Sequence, residues 1–396
     1  MEEAFFRTHT YLVEHTDAPV RRTLMDEIDW NDRMIGIKGT RGVGKSTFLL
    51  QYAKEHFGPH DRKCLYVNMN NFYFQSRGIA DFAGDFVNQG GRTLLIDQVF
   101  KQQDWSKELR KCYDLYPELK IVFTGSSVMR LKEENPELNG IVKSYNLRGF
   151  SFREYINLKT GNDFQPYELD DILRNHEYII KQILPKVSPM KYFNDYLHHG
   201  FYPFFLEQRN FTENLLKTMN MMTEVDILLI KQIELKYLPK IKRLFYELAV
   251  EGAKAPNVSQ LAESINTSRA TVMNYIKYLA DSRLINMIYP DGQDFPKKPS
   301  KVMMHNTNLM YAIYPIQIDK QEVMETFFVN SLWKDHKVHQ GGKDHYYTVD
   351  GNRKFRICDA QTPNKMRSNP DTIYARYNTE VGKDNKIPLW LLGFLY

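Results

Sequence analysis

The chain has 396 residues, 42% of them hydrophobic and 13% aromatic, with a net charge of only +5. That length exceeds the size at which one core keeps growing, and the apolar content excludes a disordered chain. The charge is unevenly placed: residues 231–311 carry twelve Lys or Arg against seven Asp or Glu, the whole surplus of the molecule. An anionic partner for that segment is one reading. The three cysteines, Cys64, Cys112 and Cys358, are odd in number and widely spaced, so neither a disulfide framework nor a metal-ligand pair follows. Glu2, Glu3 and Arg7 interrupt any secretory signal, and the longest apolar run, 387–396, is about half of what a bilayer crossing needs. The expectation is a cytoplasmic protein with no membrane partner.

Residues 1–33 read as a helical lead-in, with Pro19 placed to start a helix through Leu24 and Ile28. The next stretch, MIGIKGTRGVGKSTF at 34–48, dominates the chain. Gly39, Gly44, Lys45 and Ser46 fill the pattern G-x-x-x-x-G-K-[ST], the Walker A phosphate-binding loop. Glycine lets successive backbone N–H groups turn inward toward phosphate oxygens, lysine adds a compact charge near the β- and γ-phosphates, and the serine hydroxyl can ligate magnesium. The whole loop, Gly39, Thr40, Arg41, Gly42, Val43, Gly44, Lys45, Ser46 and Thr47, is the candidate ATP site. MIGIK before it reads as a buried strand; Phe48, Leu49, Tyr52 and Ala53 after it recur at helical spacing.

Strands are then expected at 64–69, 92–97 and 120–127, with a helix capped by Asp104 bearing Leu109, Cys112, Tyr113 and Tyr116 and ended by Pro117. Alternating strands and helices predict an α/β domain with a P-loop parallel sheet flanked by helices. From 151 to about 240 the pattern is helical, divided by Gly161, Pro166, Pro185, Pro189 and the turn at 200–203. Leu261, Ile265, Val272, Ile276 and Leu279 then mark two short amphipathic helices joined at 266–268, the second capped by Thr267 or Ser268; INMIYP and KVMMHN supply a hairpin. That is the pattern of a helix-turn-helix with a wing. From 319 on, a helix through Val323, Phe327, Phe328 and Leu332 precedes short strand-like runs, the last of them, 387–396, apolar throughout and expected to be a buried strand. The domains read from this are 1–150 for nucleotide binding, 151–238 as a helical lid, 239–318 as a winged helix and 319–396 as a small α+β unit.

With the phosphate loop, RTLLID, KIVFTGSS, FSFREYI and the winged-helix pattern in this order, the chain resembles the prokaryotic AAA-type P-loop ATPases that carry a C-terminal nuclease-like domain of poorly defined role. The resemblance implies ATP and Mg²⁺ as cofactors, Ser46 and Asp97 as the metal-holding pair, and Thr124, Ser126 or Ser127 as a polar sensor beside the γ-phosphate. It also implies a glutamate after the magnesium aspartate to polarise the attacking water, where this chain has Gln98. An amide can hydrogen-bond water but cannot take its proton at neutral pH. Where relatives carry histidine two positions on, Phe100 stands; where they offer an arginine pair suited to a finger, Gly140 and Ile141 stand, leaving Lys143, Arg148 and Arg153 as weaker candidates.

In the winged helix, Arg269, Asn274, Lys277 and Tyr278 are read as outward, with Lys297, Lys298 and Lys301 near the wing; a rigid spacer is favoured over a DNA reader. In the C-terminal segment Glu380 and Lys383, with Asp359 or Asp371, are the nearest match to a nuclease signature, but a spacing of three places strand residues on opposite faces. The functional expectation is a nucleotide-regulated switch or scaffold that binds ATP–Mg²⁺ and hydrolyses weakly. The alternatives are an active ATPase working on DNA or a protein client, and a nucleotide-tuned DNA-binding regulator. A homo-oligomer, a protein client and weakly bound DNA stay open as partners.

Overall fold

The computed structural model describes residues 2–396 apart from 130, 132, 208, 209, 343–345 and 362–368. The chain divides into two compact units, Met1–Gly149 and Phe150–Tyr396.

In the first unit a five-stranded sheet is built from β1 (Met34–Gly39), β2 (Cys64–Asn68), β3 (Thr93–Asp97), β4 (Lys120–Ser126) and β5 (Lys143–Asn146). Its order is β2-β3-β4-β1-β5 and every pairing is parallel. β1 to β4 are buried almost throughout, as strands covered on both faces must be. β4 lies between β1 and β3, so the carboxyl ends of these three strands meet where the chain order reverses, the usual place for a ligand crevice in such sheets. The expected parallel sheet is therefore present, with an added short, exposed edge strand, β5.

The helices of this unit are α1 (Glu2–His15), the single turn α2 (Leu24–Glu27), α3 (Lys45–His56), α4 (Ile79–Asn88) and α5 (Trp105–Leu115). The lead-in differs from expectation. Pro19 starts no helix; the long helix precedes it, set by the inward stripe Phe6, His9 and Val13 at spacings of three and four. Asp104 stands at the N-cap of α5 but in a left-handed conformation with no capping bond. Its carboxylate pairs with Lys107 at 2.8 Å instead.

The second unit opens with α6 (Phe152–Thr160), started by a capping box in which Ser151 and Glu154 satisfy each other's backbone N–H groups. There follow α7 (Leu169–Ile183), α8 (Met190–Asp195), α9 (Phe211–Met221), α10 (Leu228–Lys231) and α11 (Leu238–Glu251). A π turn, Tyr196–Gly200, extends α8, and a second, Met222–Ile227, joins α9 to α10. α12 (Val258–Ser264) and α13 (Arg269–Asp281) meet at a tight turn, and the Ser268 side chain caps α13 through the Thr271 N–H. β6 (Ile285–Ile288) and β7 (Lys301–Met304) form an antiparallel hairpin. After α14 (Thr307–Ile313) and α15 (Lys320–Leu332) comes a mixed sheet of β8 (Val338–Gln340), β9 (Tyr347–Val349), β10 (Arg353–Asp359), β11 (Thr372–Tyr377) and β12 (Lys386–Pro388), in the order β12-β11-β10-β9-β8.

The segments 151–238 and 319–396, expected as separate domains, share one core. Phe152, Phe193 and Phe327 stack edge-on at 5.0 and 4.9 Å, in a cluster that also takes in Trp390 and Phe394. The apolar run at the end is buried as expected, but it is a strand only to Pro388; Leu389–Phe394 is a 3₁₀ helix. A continuous apolar run marks burial without choosing between the two periods.

Candidate functional site

The phosphate loop leaves β1 at Gly39 and enters α3 at Lys45. Gly39 is dictated by crowding: a Cβ there would lie 2.4 Å from the Leu147 carbonyl oxygen. Gly44, at φ 92°, is dictated by conformation, because only glycine takes that left-handed turn without strain. Val43 is fully buried, Thr40 is buried, and Thr47 is exposed. The Lys45 ammonium donates to the Gly39 and Thr40 carbonyl oxygens, each at 2.8 Å, and so rests within the curl of the loop.

Beneath the loop lies Asp97, 1% exposed at the end of β3. Its Oδ2 accepts the Ser46 hydroxyl at 2.7 Å, the Tyr66 hydroxyl at 2.8 Å and the Asn68 amide at 3.1 Å. Its Oδ1 accepts the Thr124 hydroxyl. Strand register produces this convergence: Asn68 pairs with Asp97, and Ile96 with Phe123, which sets Thr124 beside the carboxylate. Burial, and then Asp97 beside it, push the Tyr66 phenol far above its ordinary pKa, so it remains a donor. Thr124 also accepts the Gln98 backbone N–H at 2.8 Å. That bond anchors Gln98 in a left-handed conformation, φ 57°, which a non-glycine residue adopts only when its surroundings compel it. Among the described residues, the Gln98 side-chain amide makes no hydrogen bond.

The structure thus brings together Lys45, Ser46, Asp97, Gln98 and Thr124. It sets Ser126 apart: that hydroxyl accepts the Val128 N–H at 3.4 Å within its own turn, and Ser127, half-buried, follows it. Tyr66 and Asn68 are members of the site that no motif announces; only their alternation on β2, beside a strand ending in aspartate, marks them. A hydroxyl and a carboxylate sharing a hydrogen bond at the foot of a phosphate loop suit magnesium, which is held by one or two oxygen ligands plus phosphates and water in place of an all-protein cage. No cluster of three or more His, Cys, Asp or Glu side chains able to hold a metal occurs among the described residues.

Arg22 completes this unit. Its guanidinium, 8% exposed, donates to the Val43 carbonyl at 3.2 Å and to those of Arg148 and Gly149 at 2.6 and 3.1 Å. It ties the phosphate loop to the last residues of the unit. Of the weaker finger candidates, Arg153 is buried and committed to the main-chain oxygens of Tyr396 and Phe164, while Lys143 is exposed on β5.

The nuclease-like carboxylates do not converge. Glu380 accepts the Ser188 hydroxyl and the Met190 N–H, Asp359 accepts the Asn378 amide at 2.9 Å, and Asp371 is exposed beside Asn369. Lys383 pairs through its backbone with Lys386. Two of the residues read as outward around α13 are also spoken for. Lys277 is paired with Asp281, and Lys301, half-buried at the loop end of β7 opposite Ile288, is paired with Glu325 at 2.7 Å.

Residues 31–156 match the family model of an AAA domain, and residues 190–320 match that of a domain of unknown function, DUF8612. The first unit therefore has the character of an AAA-type P-loop ATPase domain, in keeping with its sheet order and loop. An uncharacterized protein of Methanocaldococcus jannaschii, MJ1637, is 26% identical over 294 residues, covering 70% of this chain and 61% of its own length, so the chain spans about three fifths of that relative. Among solved structures, Aeropyrum pernix ORC1 in complex with DNA is 11% identical over 80% of this chain and 92% of its own, with a TM-score of 0.28. A Thermotoga maritima protein related to the DNA polymerase III gamma subunit is 14% identical over 70% and 98%, with a TM-score of 0.27. Caenorhabditis elegans PCH-2 is 17% identical over 38% and 42%, with a TM-score of 0.24. No helix among the described residues is long and apolar enough to cross a membrane.

Proposed function

We propose that this chain is a nucleotide-regulated switch that binds ATP with magnesium at the phosphate loop and hydrolyses it only slowly. The observation that carries the reading is the combination of an intact loop and a wired Asp97 with an amide, Gln98, at the position next in line. Lys45 and the backbone N–H groups of 39–47 would bind the phosphates, while Ser46 and Asp97 would hold magnesium, whose charge offsets that of the phosphate oxygens. Thr124 fixes the Gln98 backbone, so that its amide can orient a water molecule without taking a proton from it.

Arg22 supports the regulatory side. One buried guanidinium grips both the loop that would hold the phosphates and the two residues that end the first unit. Tightening of the loop around phosphate would thus be felt where the chain leaves for residues 150–396. We read 239–318 as a winged helix and 319–396 as a nuclease-like segment without catalysis, both receiving that signal; a second copy of the chain or a protein client is the fitting partner.

Phosphate release by the purified chain and by Gln98→Glu tests the proposal. General-base contributions are roughly 10²–10⁴-fold. The arginine pair replaced by Gly140 and Ile141 is a separate deficit, acting on the γ-phosphate and not on the water. Gln98→Glu should therefore raise a very slow rate measurably but only in part. A rate of about 1 s⁻¹ in the unaltered chain, ordinary for an enzyme, would favour a working ATPase over the switch.

A further inference from the structure

Within the second unit, the opening turns of α13 and the loop between β6 and β7 enclose a cleft of about 300 Å³. Arg269 and Met273, four apart, share one face of α13, and Asn274, next after Met273, joins them in the cleft lining. Facing them, the loop brings up Phe295, half-buried, and Lys298, exposed. The floor is apolar, Met273 and Phe295 with the buried Val258 at one end; the rim is Arg269, Asn274 and Lys298.

The rim differs from its neighbourhood in charge. Three other cations on α11 to α13 have acidic partners, Lys242 with Glu224, Arg243 with Glu247 and Lys277 with Asp281, while Lys240 donates to the Asn266 carbonyl. Arg269, Asn274 and Lys298 have no side-chain partner among the described residues, and no carboxylate lines the cleft. Lys297, exposed beside Lys298, adds a third cation.

We propose that this cleft binds single-stranded nucleic acid, one unpaired base entering between Met273 and Phe295 while Arg269 and Lys298 hold the flanking phosphates and Asn274 meets the base edge. A helix that reads a duplex has to project into the major groove. Here the loop lies across that face of α13 and makes it one wall of a concavity. A cationic rim over an aromatic and thioether floor is the pairing that single strands use: charge for the backbone, a flat apolar surface for the base. The site is independent of the ATP reading, because residues 258–298 supply all of its lining.

The test is fluorescence anisotropy of the full chain with a labelled oligo-dT of about a dozen nucleotides, within the usual site size, and with a duplex of equal length. The oligo-dT should bind more tightly than the duplex. Arg269→Ala with Lys298→Ala should weaken it about tenfold and flatten the salt dependence by about 1.4 in log–log slope, the value for two phosphate contacts on a single strand. Phe295→Leu should weaken it about fivefold or more with the slope unchanged, since stacking carries no counterions. Both altered residues of the double variant are exposed and unpaired, so its melting temperature and its ATP affinity should match those of the parent. Tighter binding of the duplex, unchanged binding by the double variant, or displacement of oligo-dT by poly-glutamate at equal charge would each overturn the proposal, the last in favour of an acidic peptide.

Discussion

The Ser46 hydroxyl, on the first turn of α3, reaches Asp97 Oδ2 at the end of β3 across 2.7 Å. A phosphate-loop residue and a strand-end carboxylate fifty-one positions apart are thereby joined by one direct hydrogen bond. Ser46→Ala removes one of four donors to Asp97 and should leave the fold intact. The gain in ATP affinity on adding magnesium should disappear in this variant, while Lys45→Ala should lose at least about tenfold, 1.4 kcal/mol, in magnesium. Titration of a fluorescent ATP analogue with and without magnesium measures both.

Arg22→Met would leave the carbonyls of Val43, Arg148 and Gly149 without their buried cationic donor. Hydrogen bonds to charged groups are worth about 1.5–3 kcal/mol, so a loss of about 2–3 kcal/mol is expected in urea unfolding of the first unit. Arg22→Lys should recover part of it, having charge but no planar fork. If Arg22 does join the loop to residues 148–149, Arg22→Met should also weaken ATP binding; equal affinity would reduce it to packing.

Acid should weaken the protein through His9. This ring is fully buried, its Nδ1 accepting the Tyr66 N–H at 3.0 Å and its Nε2 without a partner among the described residues. Burial lowers its pKa to about 4 from 6.5. The unfolded chain therefore binds the proton first, and the stability present above pH 6.5 is lost as pH falls toward 4, by up to about 3 kcal/mol. His9→Gln should flatten that limb in denaturant melts taken at successive pH values.

A second buried polar group holds the hairpin to the C-terminal sheet. Glu325 Oε2 accepts both the Lys301 ammonium and the Tyr347 hydroxyl at 2.7 Å. Lys301→Met leaves a buried carboxylate without its cation and should cost about 3–5 kcal/mol. Lys301→Met with Glu325→Leu should cost less than that single change, because the double variant buries no charge. Thermal melts of the two variants decide it.

What the sequence determined by itself was local. The phosphate loop is a contiguous pattern whose glycines answer to backbone geometry, so 39–47 could be located without a fold. Asp97 could be named because it ends an apolar strand, and α12, α13 and α15 because their apolar positions recur at helical spacing. The edge strand β5 has no such signature: KSYN is short, polar and exposed, and is a strand only because β1 offers an unpaired edge. The end of the chain shows the same limit, since 387–396 declares its burial but not its period.

Tertiary structure alone decided what the charged and polar residues do. Arg22, His9 and Lys301 look like surface residues on composition, yet the first two are buried, the third is half-buried, and each bonds partners that lie far along the chain: Arg148 and Gly149 for the first, Tyr66 for the second, Glu325 for the third. Tyr66 and Asn68 join Asp97 through strand register, which a linear pattern does not carry. Periodicity reports the face of one element; a buried polar group requires a partner from another, and which one arrives is fixed only when the chain has folded.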